Sequence, residues 1–261
     1  MPSIEIEITG RRLVNFLEFF MRRIVLNKIL ISSFAMAALA AVSGPASAGA
    51  LQVSPINIEV PSGTATAVEN LANKGTTVIN AQVRVFKWNH KDGKETLVPT
   101  TDVVASPPAL KIQPGGVATV RVVRLLKTPV VGEETYRLII DDIPPPPDKE
   151  GGSVSFAVRH AIPVFFQAPG IKTELTWQAK MSGQSLVVSA TNKGQLHARL
   201  AQLFISQNGK VVASVNGLAG YALPGDFSTW KLKVKGVQAG TTIQIKASTN
   251  DGPVDTKVQV E

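Results

Sequence analysis

Beyond residue 50 the chain never sustains a helical repeat of apolar residues for more than two turns. It breaks instead into short runs rich in Val, Ile and Thr, among them LQVSPINIEV, TTVINAQVRVFKW, VATVRVVRLL, TYRLIIDDI, SLVVSA, LHARLAQLFIS, WKLKVKGV and TTIQIKAS. Many of these alternate apolar and polar residues with period two, and Gly, Pro, Asn and Asp separate them. Each such strand buries one face and wets the other. Short strands at a spacing of roughly 8–12 residues predict β-sandwiches rather than an α/β sheet.

A weak internal repeat argues for two of them. ANKGTTVINAQVRVF, residues 72–86, lines up with TNKGQLHARLAQLFI, residues 191–205. Both begin with Asn-Lys-Gly, read here as a turn that tolerates positive φ, and both continue as an alternating strand. The pattern breaks at QAPGIKT, where Pro169 and Gly170 fall. The expected organisation is therefore an N-terminal segment over 1–48, one sandwich over 49–168 and a second over 169–261.

The first 48 residues read as a processed segment. From Met21, the basic residues Arg22, Arg23 and Lys28 precede an apolar run from Ile29 to Val42. Ala46-Ser47-Ala48 then supplies the small-x-small pattern of signal peptidase sites. The run is shorter than the roughly 20 residues that a membrane span needs. Cleavage is expected after Ala48, and with it export. MPSIEIEITGRRLVNFLEFF, ahead of Met21, stands outside this pattern; it reads as an over-extended start, with an uncleaved anchor as the alternative.

Composition excludes several chemistries. The chain has no cysteine, so disulfide scaffolds, thiolate metal sites and cysteine nucleophiles are out. His90, His160 and His197 show no metal-ligand spacing, and neither metal nor cofactor is expected. The motifs G-x-S-x-G and H-E-x-x-H and phosphate-cradling glycine loops do not occur. The net charge is +8, but the basic residues are dispersed without an aromatic-basic stacking pattern, so nucleic acid is not expected as a partner. Asp141-Asp142 is the one acidic pair at a strand end; its members point to opposite faces and read as caps for the following loop. Gly115-Gly116 reads as a hairpin turn.

The outlying segment is GGSVSFAVRHAIPVFFQAPG. Its even positions are Val154, Phe156, Val158, His160, Ile162, Val164 and Phe166. Pro163 cannot donate to a ladder, which places the strand at an edge or a bulge. An apolar edge is a pairing hazard that proteins normally suppress. One left open implies a partner strand.

In their order along the chain, LANKGTTVINAQVRVFKW, PPALKIQPGGVATVRVVR, YRLIIDDIPPPP and VSFAVRHAIPVFF resemble the second and third strands, the Pro-Pro segment with its turn and strand, the F strand and the G strand of the periplasmic chaperones of the chaperone–usher pilus pathway. The resemblance implies two immunoglobulin-like domains in a boomerang and a non-enzymatic, periplasmic chaperone. Such a chaperone lends its G strand to pilus or fimbrial subunits that lack their last strand, then delivers them to an outer-membrane usher. It implies Val154, Phe156 and Val158 as the donated residues. Members of the family anchor the subunit's C-terminal carboxylate on an arginine of the first strand and a lysine of the G strand. Those positions are Pro55 and Pro163 here, a departure resembling the archaic branch, and it leaves Arg137 and Arg159 as candidate anchors. A self-capping homodimer through the open strand is a further expected partner. The alternative at this stage is a secreted adhesive or carbohydrate-binding module of the same fold, which would show its aromatics, Trp88, Trp177 and Trp230 among them, on an exposed platform.

Overall fold

The structure, a computed structural model, describes residues 50–91, 94–143 and 157–261. The predicted leader, Val154 and Phe156 lie outside these residues. Among them the chain is all-β.

The first part of the chain contributes β1 (Leu51–Ser54), β2 (Ile58–Val60), β3 (Thr66–Asn73), β4 (Ile79–Lys91) and β5 (Lys94–Pro99). It continues with β6 (Val103–Ser106), β7 (Ala109–Ile112), β8 (Val117–Arg124), β9 (Glu133–Asp142) and β10 (Arg159–Gln167). One sheet has the order β1-β3-β8-β6. The other runs β2-β10-β9-β4-β5, with β7 also paired to β4. The second part supplies β11 (Leu175–Ser182), β12 (Ser185–Asn192), β13 (Ala198–Gln207), β14 (Lys210–Ala222), β15 (Phe227–Lys233), β16 (Thr242–Thr249) and β17 (Gly252–Gln259). These form the sheets β11-β12-β15 and β14-β13-β16-β17. Each pair of sheets closes on its own apolar interior. Leu71, Val83, Val120, Leu138, Val164 and Phe166 fill one; Leu186, Val188, Leu200, Ile205 and Ile245 fill the other. The period-two alternation is what puts these side chains inside: in β8, Val120 and Val122 are buried while Thr119 and Arg121 are exposed.

The sequence repeat is a repeat of structure. Asn73 and Asn192 are both fully buried. Asn73 Nδ2 donates to the Thr77 and Ile112 carbonyls, and its Oδ1 accepts from the Gly75 N–H. Asn192 makes the same three bonds, to the carbonyls of Leu196 and Ala222 and from the Gly194 N–H. One amide thus satisfies three backbone groups of a turn that would otherwise be buried unpaired. The glycines are there for space and not, as expected, for a positive φ, which neither adopts. A Cβ on Gly75 would lie 2.7 Å from Ala50 Cβ, and one on Gly194 would lie 2.3 Å from the Lys172 carbonyl oxygen.

A second expectation changes as well. Gly115-Gly116 does not close a hairpin: β7 pairs with β4 and β8 with β3 and β6, so this turn carries the chain from one sheet to the other. Gly115 has φ +70°, which explains a glycine there.

One polar side chain breaks the pattern of the first interior. Glu69 of β3 is fully buried on the core side, and neither carboxylate oxygen has a hydrogen-bond partner. Burial raises its pKa to about 7; the Ser54 backbone opposes this more weakly, without acceptable hydrogen-bond geometry. A folded-state pKa above the ordinary 4.5 gives a stability contribution fully present below pH 4.5 and lost as pH rises through 7. Glu69→Gln should therefore be increasingly more stable than the parent protein as pH rises from 4.5 to 8. Urea midpoints measured across that range check it, and a difference that does not change with pH would refute the buried-carboxyl account.

Candidate functional site

β10 is paired along its whole length on one side only. Against β9 the antiparallel register runs from Arg159↔Asp141 to Gln167↔Glu133, whereas β2 covers just Val164, Phe165 and Phe166, in parallel. The Asp142 N–H donates to the Val158 carbonyl at 3.0 Å. In an antiparallel ladder bonded and non-bonded pairs alternate, so the even-numbered residues of β10 are the ones bonded to β9. The N–H and C=O groups of Arg159 and Ala161 therefore face outward. Pro163, which has no N–H, falls at an outward position where none is missed, as its chemistry requires.

The side chains divide by the same parity. Ile162, Val164 and Phe166 point into the first interior. Val158 continues that row to where the sandwich ends; it is half-buried and lines a small hollow with Ile143, itself 47% exposed. The odd residues Ala161, Pro163 and Phe165 look toward the second sandwich. Between the sandwiches lies a cleft of about 760 Å³, lined by Ala161, Pro163, Arg137 and Trp88 on one side and by Arg199, Leu218 and Tyr221 on the other.

Arg137 stands in β9 directly across from Pro163. Its guanidinium carbon lies 3.5 Å over the Trp88 ring and 5.6 Å from the Tyr221 ring, and Nε donates to Glu95 Oε1 at 3.0 Å. The side chain is only 11% exposed. Stacking on an indole holds a guanidinium flat while leaving its edge to bind anions. Arg159 is placed differently, four residues before Pro163 on the same face of the sheet and 63% exposed. It donates to Asp141 Oδ1 at 2.6 Å, and Arg84 meets Oδ2 of the same carboxylate. Asp141 is thus the centre of a three-member ion cluster; the loop it was expected to cap lies outside the described residues. The Arg159 hydrogen bond, with a lesser contribution from Arg84, holds its carboxyl below the usual range. Asp142 is pushed up by burial, and His160 is pushed down by burial against a weaker opposing pull from Asp142.

The junction beneath the cleft is built around a buried contact between Glu133 and His197. Glu133 accepts from the His197 backbone N–H at 2.7 Å and meets His197 Nδ1 at 2.8 Å, with both side chains fully buried. The imidazole stacks on Phe165 with ring centroids 3.6 Å apart. Phe165, Trp88, Tyr221 and Leu223 form a small apolar cluster drawn from both sandwiches. A signal for His197 existed in the repeat: Val78 stands at the equivalent place in the first copy, and the second copy substitutes a polar ring. Among the tryptophans, Trp88 and Trp230 are buried and Trp177 stacks on Trp230 at 6.0 Å, so none of the three forms an exposed platform.

Residues 50–172 match the family model described as pili and flagellar-assembly chaperone, PapD N-terminal domain. The first sandwich is thus similar to the N-terminal domain of these pilus-assembly chaperones. It is similar in fold to the CsuC–CsuE chaperone–tip adhesion subunit pre-assembly complex from archaic chaperone–usher Csu pili of Acinetobacter baumannii, with TM-score 0.63 and 24% identity over 82% of this chain and 100% of that one. The SafA pilin–SafB chaperone complex of Salmonella enterica gives 0.55 and 19% identity, over 79% and 95% of the two chains. The CupB2 chaperone of Pseudomonas aeruginosa gives 0.54 and 18%, over 80% and 100%. No curated protein sequence matches the chain.

If the Glu133–His197 pair couples the two sandwiches, Glu133→Ala should uncouple them. Removing a carboxylate that accepts buried hydrogen bonds costs about 1.5–3 kcal/mol. Calorimetry should then resolve two unfolding transitions in place of one; a single transition at an unchanged midpoint would show that the apolar cluster suffices.

Proposed function

We propose that this protein is a periplasmic chaperone of the archaic type. It binds pilus subunits by lending them the strand that precedes and includes the start of β10, and it hands them to an outer-membrane usher. The observation that carries the reading is the half-open edge of β10. Two outward-facing peptide groups, at Arg159 and Ala161, are set to extend a subunit's sheet. Val158 continues the row of side chains that fills the chaperone's own core, and Val154 and Phe156 share its parity in the sequence, so one strand can complete two sandwiches. Three buried apolar side chains contribute about 1.5–3 kcal/mol each before the costs of association. No covalent chemistry is required, and the subunit leaves when a better-fitting strand replaces the chaperone's.

Arg137 is the proposed anchor for the subunit's terminal carboxylate, because it lines the cleft beside the open edge. Arg159 is the second candidate, with Asp141 as its present partner. A second copy of the chaperone pairing through the same edge would protect it while no subunit is bound.

Val158→Asp should abolish the soluble recovery of a co-expressed pilus subunit while leaving the chaperone's own melting temperature near that of the parent; normal subunit yields would exclude strand donation through this residue. Arg137→Ala should weaken subunit capture about 10–100-fold, the worth of charged hydrogen bonds of ~1.5–3 kcal/mol. Unchanged affinity would remove Arg137 from the anchor.

A further inference from the structure

Arg137 is not free in the empty protein, since Glu95 holds its Nε at 3.0 Å. We propose that Glu95 is an internal competitor for the client's terminal carboxylate, and that this competition restricts the cleft to ligands bringing a pairing strand and a carboxylate together. The inference rests on the reading of Arg137 as the anchor.

The two members of the pair are unequal. Arg137 is packed flat on Trp88 and 11% exposed, so its guanidinium stays where it is. Glu95 is 45% exposed and stands in β5, the strand at the end of its sheet, where its carboxylate can turn into water at little cost. Glu95 is therefore the displaceable partner. Across the cleft, Arg199 of β13 lines the same cavity and has no ion pair with an acidic side chain among the described residues; its backbone N–H donates to Asn250 Oδ1. A carboxylate entering the cleft exchanges with Glu95 at Arg137 and gains Arg199 from the second sandwich.

The consequence is a filter. A free carboxylate must compete with one that is already part of the protein, and at ordinary concentrations it loses. A carboxylate at the end of a strand paired along Arg159 and Ala161 is delivered at an effective concentration in the millimolar range, where it can win. Without Glu95, any small acid would occupy the guanidinium.

The test uses the whole mature protein and two synthetic peptides of alternating Val and Thr, one ending in a free carboxylate and one in an amide, with acetate as the strandless probe. Binding is followed through the ¹⁵Nε–¹H resonance of Arg137. For Glu95→Gln, the affinity ratio of acid to amide peptide should rise about tenfold over the parent, the scale of one charge-assisted hydrogen bond. Acetate should perturb Arg137 in that variant at concentrations that leave the parent unaffected. If the acid peptide shifts Arg137 but the ratio is the same in both proteins, Glu95 is no competitor while the anchor stands. A lower ratio in Glu95→Gln would make Glu95 a support for Arg137 and overturn the proposal. If acid and amide bind alike in both proteins without moving Arg137, the anchor reading falls and this inference with it. Failure of both peptides to bind at millimolar concentration removes both together with strand donation.

Discussion

The ladder between β9 and β10 is the constraint on which the rest depends. Its register fixes three things at once: which β10 side chains enter the first interior, which look over the cleft, and which peptide groups are left without a neighbour. A shift by one residue would exchange the two faces, putting Arg159 and Pro163 against the core and Val164 and Phe166 in the cleft. The apolar packing of Ile162, Val164 and Phe166 resists that shift at the far end of the strand, so the open end is held in register by burial that occurs elsewhere. An edge can be left unsatisfied only where the remainder of the strand is strongly held.

The junction between the sandwiches follows a different logic. The side chains of Glu133 and His197 have no solvent exposure, and a buried polar contact is weak evidence of net stability because desolvation offsets much of the attraction. What it supplies is direction. A carboxylate that accepts from one particular backbone N–H and one particular ring nitrogen, with that ring stacked on Phe165, admits few relative placements of the two sandwiches. The apolar cluster of Trp88, Phe165, Tyr221 and Leu223 would tolerate sliding; the hydrogen bonds do not. Trp88 links this junction to the cleft, because the same indole that packs against Phe165 is the surface on which Arg137 lies.

What the sequence disclosed was what has a period. Alternation located most of the strands, and the Asn-Lys-Gly repeat located two equivalent turns, although the reason for their glycines was close packing and not φ. The open strand was legible because an apolar run and a proline contradict each other inside a paired sheet. Arg137 was reachable only through the family resemblance, by elimination of two prolines. Glu95 and Glu133 were out of reach for a common reason: each meets its partner across more than 40 residues, and no local pattern records such a pairing; for His197 the repeat marks an unusual residue but not its partner. Glu95 meets Arg137 at a sequence separation of 42, and Glu133 meets His197 at 64.

The prolines at positions 55 and 163 pose an electrostatic question on which the register bears. A proline cannot hold a carboxylate, yet Pro163 and Arg137 are direct neighbours across the β9–β10 ladder. Directly opposed residues in such a ladder have Cα atoms about 4.5–5.5 Å apart, less than the reach of an arginine side chain. On the proposed reading, a cation on β9 in place of one on β10 keeps positive charge on the same wall of the cleft, while the β10 position is filled by a residue without an N–H to satisfy. The exchange changes the kind of cation too. A lysine is a mobile point charge, whereas a guanidinium pinned to Trp88 presents a planar fork in a fixed orientation. On the proposed reading of Arg137 as an anchor, a fork held that firmly would bind any acid that reached it, and Glu95 would restrain it.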